Sequence, residues 1–305
     1  VTIGTPQIDE PIVLGENLVK SSIFNRSGRI RMDDLMALEQ SSNVYMFKIA
    51  MTMGGLSYYP YIGIASLLRD DTLQRLRNGY AQVGLGVPTG VDLPGETAGV
   101  IGVPDSPGKV LDITIGQFDT YTPLQLVQYV LPIANGGYRV QPRLLKEIRK
   151  PSKDGETLGP LVEDIKPKIL NRLDNTQDEI DRVREGFRRV YYGARGTARV
   201  EFANTTYTAA GKTGTAEVVY FGPQQDRYFT NTINLVHIGF APFDQPEVAY
   251  AVVIPWASVS LTPNIYYNNT IARQVVDKYF ELKKVYKTEG VTDSVVGQKI
   301  IRQTD

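Results

Sequence analysis

One short stretch, Ala209 to Glu217, combines a cation, two hydroxyls and two glycines within a pattern that is typical of a β-strand. Alternation along a strand divides these side chains between two faces, with Gly211, Thr213 and Thr215 on one and Lys212, Gly214 and Ala216 on the other. A sheet-edge strand that is poor in bulky side chains can be approached closely by the backbone of a ligand. The stretch therefore indicates a site for an extended, peptide-like substrate.

Part of this stretch also matches a nucleotide-binding pattern. Gly211-Lys212-Thr213 resembles the end of the phosphate-binding loop G-x-x-x-x-G-K-[ST]. That motif needs glycine where Thr206 stands and a helix after the Lys-Thr pair, whereas residues 218–221 favour a strand. A nucleotide-binding protein stays open as an alternative.

A second candidate site interrupts a helical pattern nearer the start of the chain. Apolar residues at helical spacing follow Asp33, and the pattern resumes after Asn43 and reaches Gly54-Gly55. Between the two halves stands the polar run Gln40-Ser41-Ser42-Asn43, which is costly to bury without hydrogen-bond partners. The run is either the cap of a loop between two helices or a functional site.

The composition excludes several classes of site. The chain has 305 residues, of which 42% are hydrophobic and 22% charged, and it can bury a full core as one large domain. Lys+Arg and Asp+Glu both number 33, so no net field attracts nucleic acid. Because the chain has no cysteine and a single histidine, thiol catalysis, disulfides and nearly every zinc site are excluded, and we expect no cofactor. His237 lies in a strand pattern and is expected to be structural.

In the first half of the chain, the elements that must position the Ser41 run are short. Residues 1–32 are turn-rich and irregular, and residues 56–120 form a loop-rich lobe with one helix near Leu73–Leu76. A further helix begins at the capping box Thr122-x-x-Gln125 and ends at Asn135-Gly136-Gly137.

In the second half, the elements that must position the Lys212 stretch form a sheet. A hairpin spans residues 144–162, and a helix begins at the capping box Thr176-x-x-Glu179. Short connections predict an antiparallel meander of the Lys212 strand with residues 232–240 and 248–255. A last helix, with Ile271, Val275, Val276 and Tyr279 on its apolar face, can cover one face of this sheet.

The two candidate sites together have a familiar order. Ser41-Ser42-Asn43 followed at a distance by Lys212-Thr213-Gly214 matches the S-x-N and K-T-G motifs of serine penicillin-binding proteins and β-lactamases. Residues around the two motifs also resemble this family, in the segments Ala37 to Asn43, Tyr80 to Gly95, Gly116-Gln117 and Ala134 to Gly137. The chain resembles a class B penicillin-binding protein, a monofunctional peptidoglycan transpeptidase similar to the 2B type of Gram-positive cocci.

The resemblance implies an α+β fold, with an antiparallel sheet between helices beside a mostly helical lobe. Residues 1–287 are expected to form the C-terminal, larger part of a transpeptidase domain, and residues 288–305 a polar tail. The family's nucleophile is the serine of an S-x-x-K motif, which precedes S-x-N at the start of a helix. The match here, Ser106-Pro107-Gly108-Lys109, follows Ser41 and contains two helix-breaking residues, so we expect a loop there. The nucleophile segment and the first strands of the sheet are expected upstream of Val1.

The resemblance also implies catalytic roles for Ser41, Asn43, Lys212 and Thr215. Ser41 would relay a proton toward the leaving nitrogen, and Asn43 would hold an amide of the substrate or the general-base lysine. Lys212 would supply positive potential around Ser41. The backbone N–H of Thr215 would form half of an oxyanion hole.

Substrate-binding roles are expected for Ser42, Thr213, Gly214 and Thr215. The two threonine hydroxyls would bind the terminal carboxylate of the substrate, and Gly214 would keep the strand edge uncrowded. The acidic pairs Asp33-Asp34 and Asp70-Asp71 are expected to be solvated charges without a catalytic role.

The expected reaction is the cross-linking of peptidoglycan stem peptides that end in D-Ala-D-Ala, through a serine acyl-enzyme that β-lactam antibiotics trap. Expected partners are the N-terminal part of the same protein, which carries S-x-x-K, and membrane proteins of wall synthesis. The expected location is the outer face of the cytoplasmic membrane, with an anchoring helix outside this chain. A non-catalytic, penicillin-binding-like scaffold of the wall-synthesis complex would have the same sequence from Val1 on and stays open.

Overall fold

The computed structural model of the protein describes residues 2–15, 18–26, 28–58, 71–152, 158–223, 231–259 and 266–288. The strands in this part of the chain are β1 Gln7–Asp9, β2 Ile12–Gly15, β3 Leu18–Lys20, β4 Ile30–Met32, β5 Tyr138–Val140, β6 Glu147–Arg149, β7 Leu161–Asp164, β8 Ile169–Arg172, β9 Ala210–Val219, β10 Asn231–Ala241 and β11 Val248–Ser258. The helices are α1 Asp34–Gln40, α2 Asn43–Met53, α3 Thr72–Gln82, α4 Pro107–Ile113, α5 Pro123–Asn135, α6 Gln177–Tyr192, α7 Arg199–Phe202 and α8 Tyr267–Thr288.

The largest sheet has the strand order β11-β10-β9, and all its pairs are antiparallel. This is the predicted meander, and β9, which carries Lys212, lies at the edge of the sheet as expected. Together with the surrounding helices it confirms the predicted α+β fold. One face packs on α5, where Val130 and Ile133 contact Ile238 and Phe240. The other face packs on α8, so the sheet lies between helices.

The face that α8 turns to the sheet differs by one position from the prediction. Ala272 and Val276 are fully buried against Tyr250, whereas Ile271 and Val275 are 39% and 47% exposed. The small side chain of Ala272 lets the helix approach the sheet closely. The prediction counted only large apolar side chains and therefore did not include Ala272. The predicted tail begins at Thr288, the last residue of α8, and residues 289–305 lie outside the described part of the chain.

The predicted capping boxes are present at the starts of α5 and α6. Thr122 and Thr176 each accept a hydrogen bond from the backbone N–H three residues on, and Gln125 and Glu179 bond back to the capping residue. Helix α5 ends at Gly136, whose φ of 84° is a left-handed conformation that glycine adopts at little cost. These signals are local in sequence, so the two helices could be predicted without knowledge of the tertiary structure.

The N-terminal segment is more regular than the sequence predicts. Residues expected to be irregular form two short antiparallel pairs, β1 with β4 and β2 with β3. Each strand is only three or four residues long, so the alternation of apolar and polar side chains has no room to show. The helix predicted near Leu73–Leu76 is confirmed as α3, and the predicted hairpin as β6 with β7.

The expectation of a loop at Ser106 to Lys109 is wrong, because this segment begins α4. Ser106 is the N-cap residue, and Pro107 occupies the first turn, where the missing N–H of proline costs no hydrogen bond. Val110 and Leu111 of α4 are buried against Val44 and Phe47 of α2. Tertiary packing of this apolar face outweighs the poor helix propensity of a proline and a glycine.

No helix within the described ranges is long and apolar enough to cross a membrane.

Candidate functional site

The structure brings the two motifs together at Ser41 and Lys212. Lys212 Nζ donates a 2.7 Å hydrogen bond to Ser41 Oγ and a 2.9 Å bond to the backbone oxygen of Thr213. Ser41 ends α1 in a left-handed conformation with φ of 59°, which costs a non-glycine residue about 1–2 kcal/mol. This backbone turn aims the serine side chain at β9, across a sequence separation of 171 residues.

Lys212 is a cation without a carboxylate partner in the described part of the chain. Its side chain is only partly exposed, and burial lowers its pKa to about 8 from the usual 10.5. A lysine with a pKa near neutrality can both donate a strong hydrogen bond and exchange a proton. The hydroxyl of Ser41 therefore lies beside a charge that favours a transient negative charge on its oxygen, as the predicted proton relay requires.

Ser42 has a different role from the one predicted. It is 2% exposed, and its hydroxyl donates to the buried carboxylate of Asp9 and accepts from the N–H of Tyr45 to cap α2. The same carboxylate accepts a 2.6 Å bond from Ser22 Oγ and a 2.8 Å bond from Asn25 Nδ2. Ser42 is thus enclosed and its hydroxyl is occupied by Asp9 and by the helix cap, so its assignment as a substrate-binding residue is wrong. The polar run is a cap and a candidate site at once, because Ser42 serves the cap while Ser41 faces Lys212.

Asn43 is the first residue of α2 and is half-buried. Its side chain makes no hydrogen bond with any residue that the structure describes. The carboxamide of Asn43 has an NH2 group that donates and a C=O group that accepts, so it can hydrogen-bond a peptide group of a ligand. This agrees with the role predicted for Asn43.

The backbone of β9 offers one donor and acceptor pair at its open edge. The N–H and C=O of Glu217 both point away from β10, because both bond the side chain of Gln117. Outward-facing groups recur at every second residue of a strand, so the N–H and C=O of Thr215 point to the same side. Thr215 is exposed, which keeps its N–H available for the predicted oxyanion interaction.

The two glycines of the stretch differ in what they permit. A Cβ on Gly211 would lie 2.2 Å from both Ile238 O and Tyr191 Oη, so this position must be glycine for the strand to pack. A Cβ on Gly214 would only touch Val236 at 3.4 Å. Only Gly214 therefore agrees with the predicted role of leaving the edge open.

The hydroxyl of Thr213 lies on the opposite face of β9 from Lys212, as strand alternation predicts. It is 2.7 Å from the hydroxyl of Thr197, in the segment between α6 and α7. Asn269 of α8 donates a 3.3 Å bond to the backbone oxygen of Thr197 and helps to fix it. Thr197 was missed by the sequence analysis, because a lone threonine in a loop carries no signal before the fold places it beside Thr213.

His237 is a buried structural residue, as predicted. Its ring nitrogens lie 2.5 Å from Tyr191 Oη and 2.8 Å from Asn269 Oδ1, and Tyr191 Oη also lies 2.6 Å from Tyr250 Oη. Burial, with a smaller contribution from the charge of Lys212, lowers the pKa of His237 to about 4, although the hydrogen bond that Asn269 Oδ1 accepts from the ring opposes this shift. The imidazole is therefore neutral at physiological pH and ties β10 to α6 and α8.

The acidic pair Asp33-Asp34 is not a pair of free solvated charges. Arg182 of α6 lies 2.7 Å from Asp34 and 3.4 Å from Asp33, so the pair holds α1 against α6. Although burial opposes the shift, hydrogen bonds from Arg182 and Gly4 keep the pKa of Asp34 below its usual value. In the second pair, Asp71 is exposed, and Asp70 lies outside the described residues.

The remaining candidates do not join this site. Lys109 pairs with Asp105 at 2.7 Å in an exposed position, and neither it nor Ser106 has a described contact with Ser41 or Lys212. The nucleotide-binding alternative is also excluded, because β9 continues through Val219 where a phosphate-binding loop requires a helix. Across the residues described, no group of three His, Asp or Glu side chains could hold a metal ion.

Comparison with known proteins agrees with this geometry. The family described as "Penicillin binding protein transpeptidase domain" matches residues 17–281. Penicillin-binding protein 2A of Bacillus subtilis is 41% identical over 290 residues, which are 95% of this chain and 40% of the relative. Penicillin-binding protein 2B of Streptococcus pneumoniae is 33% identical over 274 residues, which are 89% of this chain and 39% of the relative. The chain thus spans about two-fifths of the length of these relatives.

Solved structures show the same similarity in three dimensions. Penicillin-binding protein 2B from Streptococcus pneumoniae strain R6 superposes with a TM-score of 0.82 at 31% identity, over 92% of this chain and 44% of that one. The D,D-transpeptidase domain of a peptidoglycan glycosyltransferase from Eggerthella lenta superposes with a TM-score of 0.66 at 18% identity, over 93% of this chain and 61% of that one. The second similarity is evidence for the fold alone.

Proposed function

The chain belongs to the family of penicillin-binding protein transpeptidase domains, and on this premise we propose that it serves a peptidoglycan-cross-linking enzyme of the class B type. The substrate is the D-Ala-D-Ala end of a stem peptide. The observation that carries the proposal is the 2.7 Å hydrogen bond from Lys212 Nζ to Ser41 Oγ, because it assembles the S-x-N and K-T-G motifs into one site.

In the proposed reaction, a serine hydroxyl of an S-x-x-K motif adds to the carbonyl carbon of the penultimate D-Ala. The bond to the terminal D-Ala nitrogen breaks, and the serine proton passes through Ser41 to that nitrogen, which leaves as an amine. An amine of a neighbouring stem peptide then attacks the acyl ester and restores the serine hydroxyl. A β-lactam acylates the same serine but does not leave, so the enzyme stays trapped.

The residues of this chain bind and polarise the reacting groups. The N–H of Thr215 stabilises the negative oxygen of the tetrahedral intermediate, a contribution worth roughly 3–4 kcal/mol per donor in acyl transfer. Lys212 keeps positive potential at Ser41, and Asn43 holds the substrate amide. Thr213, with Thr197 beside it, and Thr215 bind the terminal carboxylate at the uncrowded edge next to Gly214.

The proposal includes partners and a location beyond this chain. The S-x-x-K serine belongs to an N-terminal part of the same protein, whose strands would pair with the outer edge of β11. The enzyme works at the outer face of the cytoplasmic membrane, held by a membrane anchor, with membrane proteins of wall synthesis as partners. The alternative is a non-catalytic scaffold that binds stem peptides without acylation.

The test is to label the full-length protein with a fluorescent penicillin, digest it and map the adduct by mass spectrometry. We expect one adduct, on the serine of an S-x-x-K motif that precedes residue 1 of this chain. An adduct on Ser106 or on any other serine between Val1 and Asp305 would contradict the assignment. Absence of any adduct on a folded protein would favour the scaffold.

A further inference from the structure

Gln117 places a side-chain amide where a strand partner of β9 would lie. Its Nε2 donates a 2.6 Å hydrogen bond to the backbone oxygen of Glu217, and its Oε1 accepts a 3.1 Å bond from the backbone N–H of the same residue. One carboxamide thus makes both bonds that an antiparallel strand makes with an outward-facing residue. Gln117 imitates one peptide unit of a partner strand.

The position of Gln117 is supported by its own loop. The loop leaves the end of α4, and the N–H of Gln117 donates a 3.0 Å bond to Asp112 O. Three residues further on, Thr120 pairs with Val100 through reciprocal backbone bonds of 2.9 and 3.0 Å. Gln117 therefore extends from a segment that is fixed on both sides, and its contact with β9 joins residues 100 positions apart.

The contact between Gln117 and Glu217 limits how much of the open edge of β9 can pair with a ligand. Outward-facing residues recur at every second position of β9, and Thr213, Thr215 and Glu217 are three successive ones. The oxygen of Thr213 is taken by Lys212, and both backbone groups of Glu217 are taken by Gln117. Thr215 is the position between them whose N–H and C=O remain for an extended ligand, as required for peptide recognition by strand addition.

We propose that Gln117 is a specificity-determining residue that ends the peptide-binding track of β9 after Thr215. The inference rests on the proposed function. A short acyl donor that pairs only with Thr215 binds without touching Gln117. A donor whose backbone continues toward Glu217 must first displace the carboxamide and lose its two hydrogen bonds with the strand. Gln117 therefore selects against acyl donors that stay extended along the edge beyond the reacting residue.

The test compares two acyl donors on the full-length protein. One is an N-acetyl-D-alanyl thioester, and the other is the same thioester extended by two residues at its amino end. Gln117→Met keeps the length of the side chain and removes both hydrogen bonds. We expect kcat/KM for the extended donor to rise by roughly tenfold, the equivalent of about one hydrogen bond. The value for the short donor should stay within about twofold.

Gln141→Met is the matched control, because Gln141 ties another loop through a 2.6 Å bond to Gly90 O and has no described hydrogen bond with β9. It should leave the ratio between the two donors unchanged. Equal changes for both donors in Gln117→Met would show that Gln117 only braces the fold, and a fall for the extended donor would show that it binds this donor. Either result overturns the inference. Failure of the unaltered protein to react with penicillin or either thioester would instead overturn the proposed function.

Discussion

The pKa of Lys212 connects its burial to a measurable pH dependence. Burial favours the neutral amine and lowers the pKa to about 8, so the cation is present below that pH and is lost above it. The ring of His237, whose pKa is affected by the charge of Lys212, has a pKa of about 4 and does not change its charge in this range. The positive potential at Ser41 is therefore expected to fade as the pH rises through about 8.

The Lys212→Arg substitution separates the loss of the Lys212 charge from the titration of other groups in the same pH range. In the full-length protein, acylation by penicillin should slow as the pH rises above about 8. Lys212→Arg should lack this alkaline decline, because a guanidinium keeps its charge. The measurement is the second-order acylation rate constant between pH 6 and pH 10. The same decline in both proteins would assign it to a different group.

The hydroxyls of Thr213 and Thr215 are predicted to recognise the ligand carboxylate. Replacing both with valine keeps the shape of the side chains and removes the donors. Acylation by a β-lactam with a free carboxylate should fall by roughly tenfold or more, the value of one or two hydrogen bonds to a charged group. Acylation by the matching methyl ester should change little. Equal losses for both ligands would mean that the hydroxyls, with Thr197, only serve the structure.

At the scale of elements, the loop between α1 and α2 depends on a hydrogen-bonded cluster around one buried carboxylate, that of Asp9. Asp9 is 0% exposed, and its carboxylate holds the hydroxyls of Ser42 and Ser22 from the end of β1. Since Ser42 follows Ser41 directly, this anchor also sets where the neighbouring serine points. A side chain that never meets the substrate thereby positions one that does.

Asp9→Asn tests this coupling, because an amide cannot accept all the hydrogen bonds that the carboxylate accepts. We expect the free energy of unfolding to fall by about 2–3 kcal/mol. The acylation rate per folded molecule should fall as well, because Ser41 loses its fixed direction. Chemical denaturation and penicillin labelling measure the two effects separately.

Glu96→Gln is the control for the Asp9 substitution. The carboxylate of Glu96 also accepts from a hydroxyl and from backbone N–H groups, those of Thr89 and Gly90, but in a different loop. This variant should lose stability and keep its acylation rate. If Asp9→Asn also keeps its rate, the cluster only stabilises the fold.

At the scale of the whole molecule, the sheet fixes the distance between two motifs that are far apart in sequence. Helix α5 packs on one face and α8 on the other, and α6 joins β9 to α1 through Phe187, Tyr191 and Arg182. These contacts bring Ser41 to the edge strand. The site therefore depends on packing that none of its own residues provides.

The sequence predicted those features whose signals are local or strongly patterned. The capping boxes of α5 and α6, the three long strands and the two motifs fall into this class. Strand alternation alone separated Lys212 from Thr213 and Thr215 correctly. These features could be predicted because each is encoded within about ten consecutive residues.

Other features could not be predicted, because they depend on contacts between distant parts of the chain. The role of Ser42 is set by Asp9, which lies 33 positions earlier, and Gln117 meets Glu217 across 100 positions. Helix α4 forms in spite of Pro107 because its apolar face packs on α2. In each case the conformation or role of the residues is determined by tertiary contacts, which local sequence patterns do not reveal.

The central claim is that Lys212 acts on Ser41 during acylation, and one rate constant tests it most directly. Lys212→Met keeps the side-chain stem and removes the charge. The substitution is made in the full-length protein, and acylation is followed with a fluorescent penicillin. The melting temperature should not fall, since a buried cation without a carboxylate partner costs stability below its pKa of about 8. The acylation rate constant should fall by about a hundredfold or more, as for the loss of one preorganised electrostatic group. An unchanged rate constant in a folded Lys212→Met protein would contradict the claim.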